Sequence, residues 1–444
     1  MKLSPTAILA RRFYCWRRRN ISPQIFGCLL AVTVGAGAGV AAHTLKWCIA
    51  RLSEMLTAHM RFGGPNYEFL VLPLAGIVLT FVFTRYVLHR DLEDGTERLT
   101  ATLKSRRTRL PFRLIFTPII ANTLTLGFGG SAGSEGPSAV SSAAIASNIG
   151  RWCLLSRQEV ALVTACGAGA GIAGIFTAPV GGIFFVFECI HIPMTLAAVL
   201  SLSLSCLTAG ATAFYLAHST FDVSFPPGMI FDMSHMGIIL LLGLFCGLYS
   251  WYYCRTGIIT RRLIRRVSSP WARALLSGAL VSLLVFLFPT LYGEGYNAIT
   301  AIVNDAPARI GDYSFFHGLT SSPWALVALV ALVAAIAAVK AVASYGTNSG
   351  GGVAGDFAPA LFAGCMAGLL FGMLVNGIFG TDFPTAHLAL VAMSAVLAGV
   401  VRAPLMAIFI AMETTDSFGF LLPVTVATAI SFLTVRFISR LCRR

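Results

Sequence analysis

The chain has 444 residues, 57% of them hydrophobic and 11% charged, with a mean hydropathy of +0.80 and a formal net charge of +14. A soluble domain carries roughly 25% charged residues, so this composition excludes an ordinary soluble protein and indicates an integral membrane one. Such a positive balance would suggest nucleic acid as the partner of a soluble chain, but here the Lys and Arg sit in short loops and tails, and no nucleic-acid partner is expected.

Residues 1–23 form a basic segment with Arg11, Arg12, Arg17, Arg18 and Arg19 ahead of an apolar run from Ile25. That run is too long for a signal peptide and lacks a small-residue cleavage site, so it reads as a retained first helix. Stretches near the length of about 20 residues that crosses a bilayer follow at 24–46, 69–88, 195–217, 235–254, 271–292, 323–343 and 419–438. Others, at 114–128, 138–148, 160–190, 357–378 and 385–412, are shorter or cut by Gly and Pro. The expectation is one all-α polytopic domain over 24–438, with well over ten segments, several not spanning cleanly, and a short basic tail at 439–444. Further basic clusters at 104–113, 255–266 and 436–444 place both termini on the cytoplasmic side, in what is expected to be a prokaryotic inner membrane. No soluble domain is expected after the last helix. The 11 cysteines are scattered without ligand spacing and read as small core residues; neither metal nor cofactor is expected.

An internal repeat organises the chain. G-G-S-A-G-S-E-G-P at 129–137 matches G-G-V-A-G-D-F-A-P at 351–359 with an offset of 222, and T-A-P-V-G-G-I-F-F-V-F-E at 177–188 matches R-A-P-L-M-A-I-F-I-A-M-E at 402–413 with an offset of 225. Two motif pairs in the same order at nearly the same offset indicate a duplicated half, with halves at about 69–217 and 271–438. Duplicated halves with Gly/Pro-interrupted segments at matching places are the mark of a transporter whose broken helices meet near mid-membrane.

Each Gly-rich stretch leads into a helical run, with Pro137 opening 138–148 and Pro359 opening 360–378. Free N–H groups and the positive end of a helix dipole make such a start an anion site. The candidate anion-binding residues are Ser134, Gly136, Gly355, Asp356, Phe357 and Ala358. No pocket of Lys or Arg is apparent inside the apolar runs apart from Lys340 and Arg402, so binding is loose enough to allow release. The acids placed in membrane-embedded sequence are Glu135, Glu188, Asp356 and Glu413. A carboxylate tethered at a helix N-terminus competes with the anion bound there, and its protonation opens the site; on that argument Glu135 is the candidate gate. The bland reading is a first-turn Glu that only stabilises its helix.

G-S-E-G-P at 133–137, A-P-V-G-G-I-F-F-V-F-E at 178–188, G-E-G-Y-N-A-I at 293–299, G-D-F-A-P at 355–359 and R-A-P-L…E-T-T-D at 402–416 together resemble the motifs of the CLC family of chloride channels and chloride/proton antiporters. The resemblance covers about residues 70 to 430. It implies two inverted-topology repeats of broken, tilted helices in a homodimer, each subunit with its own pathway for chloride and similar small anions, and Glu135 as the gating glutamate. In proton-coupled members a second glutamate follows the one that here is Glu188, and this chain has Cys189 there, a poor relay at neutral pH. The resemblance places Glu188 near the subunit interface, and Glu413 is its repeat counterpart. The family's central serine has no clear equivalent; E-D-G-T-E-R at 93–98 offers Asp94, Gly95 and Thr96 for an inner anion site. The family's central tyrosine is also missing from the end of the chain. Asp356 replaces an apolar residue and reads as a helix-dipole or capping acid, or else as a second tethered anion.

These departures favour a passive or weakly proton-coupled chloride pathway over a strict chloride/proton antiporter. A rival of another class is an inverted-repeat cation/proton antiporter with the four embedded acids as ligands. A membrane-embedded enzyme would want clustered His, Asp or Cys, which the sequence lacks.

Overall fold

The computed structural model describes residues 5–60, 66–89, 99–102, 109–217, 231–304, 307–311 and 325–442. Sixteen helices account for most of them: α1 (Pro5–Asn20), α2 (Pro23–Thr57), α3 (Leu72–Val82), α4 (Thr117–Gly127), α5 (Glu135–Trp152), α6 (Arg157–Phe176), α7 (Pro179–Phe185), α8 (Leu196–Ala217), α9 (Met236–Arg265), α10 (Pro270–Leu287), α11 (Tyr296–Val303), α12 (Ala325–Ser349), α13 (Phe357–Phe379), α14 (Thr385–Val401), α15 (Pro404–Thr415) and α16 (Leu421–Leu441). Among the described residues the extended pairing is a single antiparallel bridge, Gly133 with Gly355. Among the described residues, nine helical segments are long and apolar enough to cross a bilayer, and four shorter apolar ones, at 112–127, 179–190, 385–401 and 404–415, fall in the cut runs 114–128, 160–190 and 385–412, whereas the run 357–378 is one helix of spanning length.

The apolar runs understate two helices. α2 continues to Thr57 and α9 to Arg265, past the expected ends at 46 and 254. Hydropathy marks the stretch that suits hydrocarbon, whereas a helix continues on polar residues; the end of α2 carries an exposed Arg51–Glu54 pair 3.2 Å apart. The run 160–190 is two elements parted at Thr177, and 385–412 is parted at Arg402, because each of these residues takes a left-handed conformation and a proline follows two places on. Pro137 and Pro359 do not open their helices: α5 and α13 start two residues earlier, and each proline is the third helical residue, still within the first turn.

The duplication recurs in the backbone itself. Thr177 (φ +51°) and Arg402 (φ +65°) are 225 residues apart, as are His191 (φ +64°) and Asp416 (φ +49°), while Gly129 (φ +94°) and Gly351 (φ +101°) are 222 apart. Left-handed non-glycine residues are uncommon enough that two matched pairs at one offset identify a duplicated unit. This is the all-α fold of two repeated halves expected from the sequence.

The chain forms two compact units, one from residues 1–46, 94–119 and 136–220, the other from 47–93, 120–135 and 221–444. Both are packed by the same device. In the first, Gly35 and Gly39 of α2 lie directly on Ser205 to Thr212 of α8. In the second, Gly243 and Gly247 of α9 lie on Ala427 to Thr434 of α16, and Gly364 and Gly368 of α13 on Leu388 to Met393 of α14. Small residues four apart let helix backbones approach without a hydrophobic driving force. The opposite face of α9 presents Leu240, Leu241, Leu244 and Leu248, each 47% to 58% exposed, an outward apolar surface suited to lipid.

A Cβ at Gly368 would sit 2.5 Å from the Leu388 carbonyl and 2.6 Å from the Ala392 side chain. Gly368→Val is therefore expected to force α13 and α14 apart and cost about 1–3 kcal/mol or more, seen as a lowered thermal unfolding midpoint in detergent. An unchanged midpoint would mean that this helix pair does not carry the packing. Of the 11 cysteines, Cys153, Cys166, Cys206, Cys246 and Cys365 are buried as small core residues, whereas Cys15, Cys28 and Cys442 are exposed.

Candidate functional site at the two broken segments

Residues 129–135 and 351–359 of the two Gly-rich stretches belong to the second unit and are tied to each other by backbone. Gly133 N–H donates to Gly355 O at 3.0 Å and Gly355 N–H returns the bond to Gly133 O at 2.8 Å. Non-helical backbone at membrane depth has to find partners within the protein. Here side chains of α4 and α12 supply them reciprocally. Thr347 Oγ1 accepts from Ser131 N–H, and Thr125 Oγ1 accepts from Val353 N–H, each at 3.1 Å. Thr125 and Thr347 are 222 residues apart, as are Ser131 and Val353, so each copy completes the other's backbone. Asn122 Nδ2 adds bonds to Val353 O at 2.7 Å and to Gly133 O at 3.3 Å.

The glycines are required by what lies over them. A Cβ at Gly133 or at Gly355 would run into the Glu135 carboxylate, so these two positions form the floor on which that side chain rests. Glu135 is the first residue of α5 and 1% exposed. Its Oε1 accepts from the backbone N–H of Phe357, the first residue of α13, and its own backbone N–H also acts on it. Its Oε2 is buried with no hydrogen-bond partner among the described residues. The two helix starts thus meet at one carboxylate, Glu135 from one copy and the Phe357 amide from the equivalent position of the other. A helix N-terminus favours an anion, and a carboxylate is the anion it has here.

The neighbouring donors are also engaged. Ser134 is 1% exposed, and both its N–H (2.9 Å) and its hydroxyl (2.5 Å) donate to Oε1 of Glu294, which comes from the Gly-Glu-Gly turn ahead of α11. Lys340 of α12 is fully buried; its Nζ donates to Ser131 Oγ at 2.9 Å and lies 4.6 Å from the ring centre of Phe362. Asp356 is the N-cap residue of α13, but its side chain makes no capping bond and instead accepts from Asn348 Nδ2 at 3.2 Å. At φ −109° and ψ 0° Asp356 lacks the extended backbone with which an N-cap side chain reaches its own helix. Gly355 and Ala358 are buried in the same turn, and Gly136 is the second residue of α5 as Ala358 is of α13.

Glu294 is the acid that the sequence reading missed. It stands in a short turn between two apolar runs, and a count of acids inside those runs passes over it. The available signal was its setting: like Glu135 it is followed by glycine in a Gly-rich stretch. The same reading kept Lys340 as an isolated exception, and the structure brings it to the site.

Asp94, Gly95 and Thr96, the candidate inner anion site, lie outside the described residues. Cys189 and Glu188 belong to the first unit, in a widened π turn over Val186–Ile190, with His191 Nδ1 3.0 Å from the Cys189 carbonyl oxygen. Both are half-buried, as is Glu413 near the end of α15. Arg402 is exposed at the left-handed turn after α14. No cluster of three or more His, Cys, Asp or Glu fit to hold a metal ion occurs among the described residues.

A family model described as voltage gated chloride channel matches residues 75–436. A ClcB-like protein of Ralstonia nicotianae is 28% identical over 411 residues, covering 88% of this chain and 87% of its own. The voltage-gated ClC-type chloride channel ClcB of Citrobacter koseri is 28% identical over 332 residues, covering 70% of this chain and 71% of its own. Among solved structures, a slow cyanobacterial Cl⁻/H⁺ antiporter aligns with a TM-score of 0.76 at 21% identity, over 94% of this chain and 96% of that one. A CLC-type fluoride/proton antiporter aligns with a TM-score of 0.72 at 22% identity, over 92% and 95%.

Proposed function

Because the chain belongs to the voltage gated chloride channel family, a family of ion channels and transporters and not of enzymes, we propose that it moves chloride and similar small anions across the membrane through a path gated by Glu135. The observation that carries this reading is the bond from the Phe357 amide to the buried Glu135 carboxylate. That amide ends a helix start of the kind that holds an anion, and the carboxylate takes the place. When Glu135 is protonated or displaced, the N–H groups at Phe357 and Ala358 are released to a permeating anion. Binding by amide and hydroxyl donors, without a bidentate Arg, is weak enough for the ion to leave.

The flux is passive or weakly proton-coupled. Cys189 stands where a relay glutamate would take the proton onward, and a thiol is a poor proton carrier at neutral pH. Strict chloride/proton exchange is the second reading, favoured by the fold shared with two antiporters. The family resemblance implies a homodimer in which each subunit has its own pathway. The basic loops and tails support cytoplasmic termini in an inner membrane. A cation/proton antiporter is set aside by the family.

The deciding experiment uses proteoliposomes loaded with chloride, recording chloride efflux and internal pH together, with and without a proton ionophore. Chloride efflux with little or no proton movement is the expected result. Uphill proton transport driven by the chloride gradient would establish strict exchange and overturn the passive reading.

A further inference from the structure

Ser134 and Glu135 are consecutive, and each meets a carboxylate: Glu135 carries its own, and Ser134 receives that of Glu294. Gly293 (φ +63°) and Gly295 (φ +87°) hold the turn that presents Glu294, and a Cβ at Gly295 would collide with Phe362, so the turn is seated against α13. The bonds are of the kind a small anion would make. One oxygen accepts both an amide N–H at 2.9 Å and a hydroxyl at 2.5 Å, the pair of donors offered by the residue next to the gate. Glu135 Oε2 is fully buried beside them without a partner. Glu294 itself is half-buried, less enclosed than Glu135.

Glu294 and Asp356 both act electrostatically on Glu135. Asp356 is held by Asn348 of α12, and Lys340, also on α12, is the cation whose charge reaches Glu294.

We propose that Glu294 is a second tethered carboxylate on the anion path, occupying the Ser134 donors that a permeating anion would take. The proposal rests on the reading of Glu135 as the gate. Glu294 is a positioning and competing group, and it yields to an anion that reaches Ser134.

The first test measures chloride binding by titration calorimetry on the full chain in detergent, comparing Glu135→Gln with the Glu135→Gln, Glu294→Ala double variant. Removing a charged competitor that holds two hydrogen bonds is expected to tighten chloride binding about tenfold. Unchanged or weaker binding would overturn the proposal and leave Glu294 as a support for its turn. If the alanine variant elutes as an aggregate, Glu294→Gln carries the test, since it keeps the shape and an acceptor oxygen for Ser134. Failure of the gate reading is visible separately, as a Glu135→Gln protein whose efflux keeps the wild-type pH profile. The calorimetric comparison still decides the role of Glu294, because residue 135 is neutral in both proteins.

Discussion

Chloride efflux from proteoliposomes carrying Glu135→Gln is expected to be high and flat with pH, whereas wild-type efflux rises as pH falls. The wild-type side chain is an acceptor for the Phe357 amide, and as a carboxylate it accepts through a charge-assisted bond. Such bonds contribute about 1.5–3 kcal/mol against about 1 kcal/mol for neutral ones, so protonation loosens the closed arrangement by roughly 0.5–2 kcal/mol. That amounts to about a two- to thirtyfold rise in the population with the amide free. The sign follows from the chemistry: acid adds the proton, removes the charge that competes with the anion, and raises flux. Across the titration of this one group flux should fall by about that factor and level off on the alkaline side. Glutamine has the same shape but no proton to gain, and its neutral oxygen holds the amide weakly, so the dependence disappears. A Glu135→Gln protein that keeps the wild-type profile would refute the gate and leave Glu135 as a first-turn acid stabilising α5.

Gly355→Ala is expected to reach a similar state without touching the glutamate. The added Cβ would run into the side chain of Glu135, and the flexible carboxylate is freer to give way than the bridged backbone of Gly133 and Gly355. Displaced from its floor, Glu135 loses its hold on the Phe357 amide. Flux at neutral pH should rise toward that of Glu135→Gln, with the pH dependence reduced. Gly133→Ala, which meets the same carboxylate, is the internal comparison. If both alanine variants fold and show wild-type flux at neutral pH, the close contact between those glycines and the carboxylate has no part in closure.

The sequence made the repeat legible because the constraint acts on single residues. Proline, glycine and the left-handed turns each occupy one position, so Thr177 and Arg402 recur at the same offset despite sharing no chemistry. Glu135 was legible for the same reason, as a charge standing alone in apolar sequence. The partners of the site were not, because they act across long separations. Asn122 reaches Val353 over 231 residues and Lys340 reaches Ser131 over 209, and neither pairing leaves a local pattern. Glu294 escaped because a turn between apolar runs looks like solvent-exposed loop until the fold seats it on Ser134. Asp356 stands at the N-cap position of α13, and its side chain bonds Asn348 instead of its own helix, a partner eight residues earlier in the chain.

The exchange of threonines between the two broken segments also bears on how the chain is made. Ser131 emerges from the ribosome with its N–H destined for Thr347, 216 residues later, and Asn122 is destined for Val353, 231 residues later. At about 5–20 residues per second, the first segment spends roughly 10–45 s in the bilayer before its partner is synthesised. During that interval its amides need water or another protein, so the first half is a client for the insertion machinery until the second arrives. A chain stopped after the first half is then a substrate for quality control, because the groups that complete its anion site have not yet been translated.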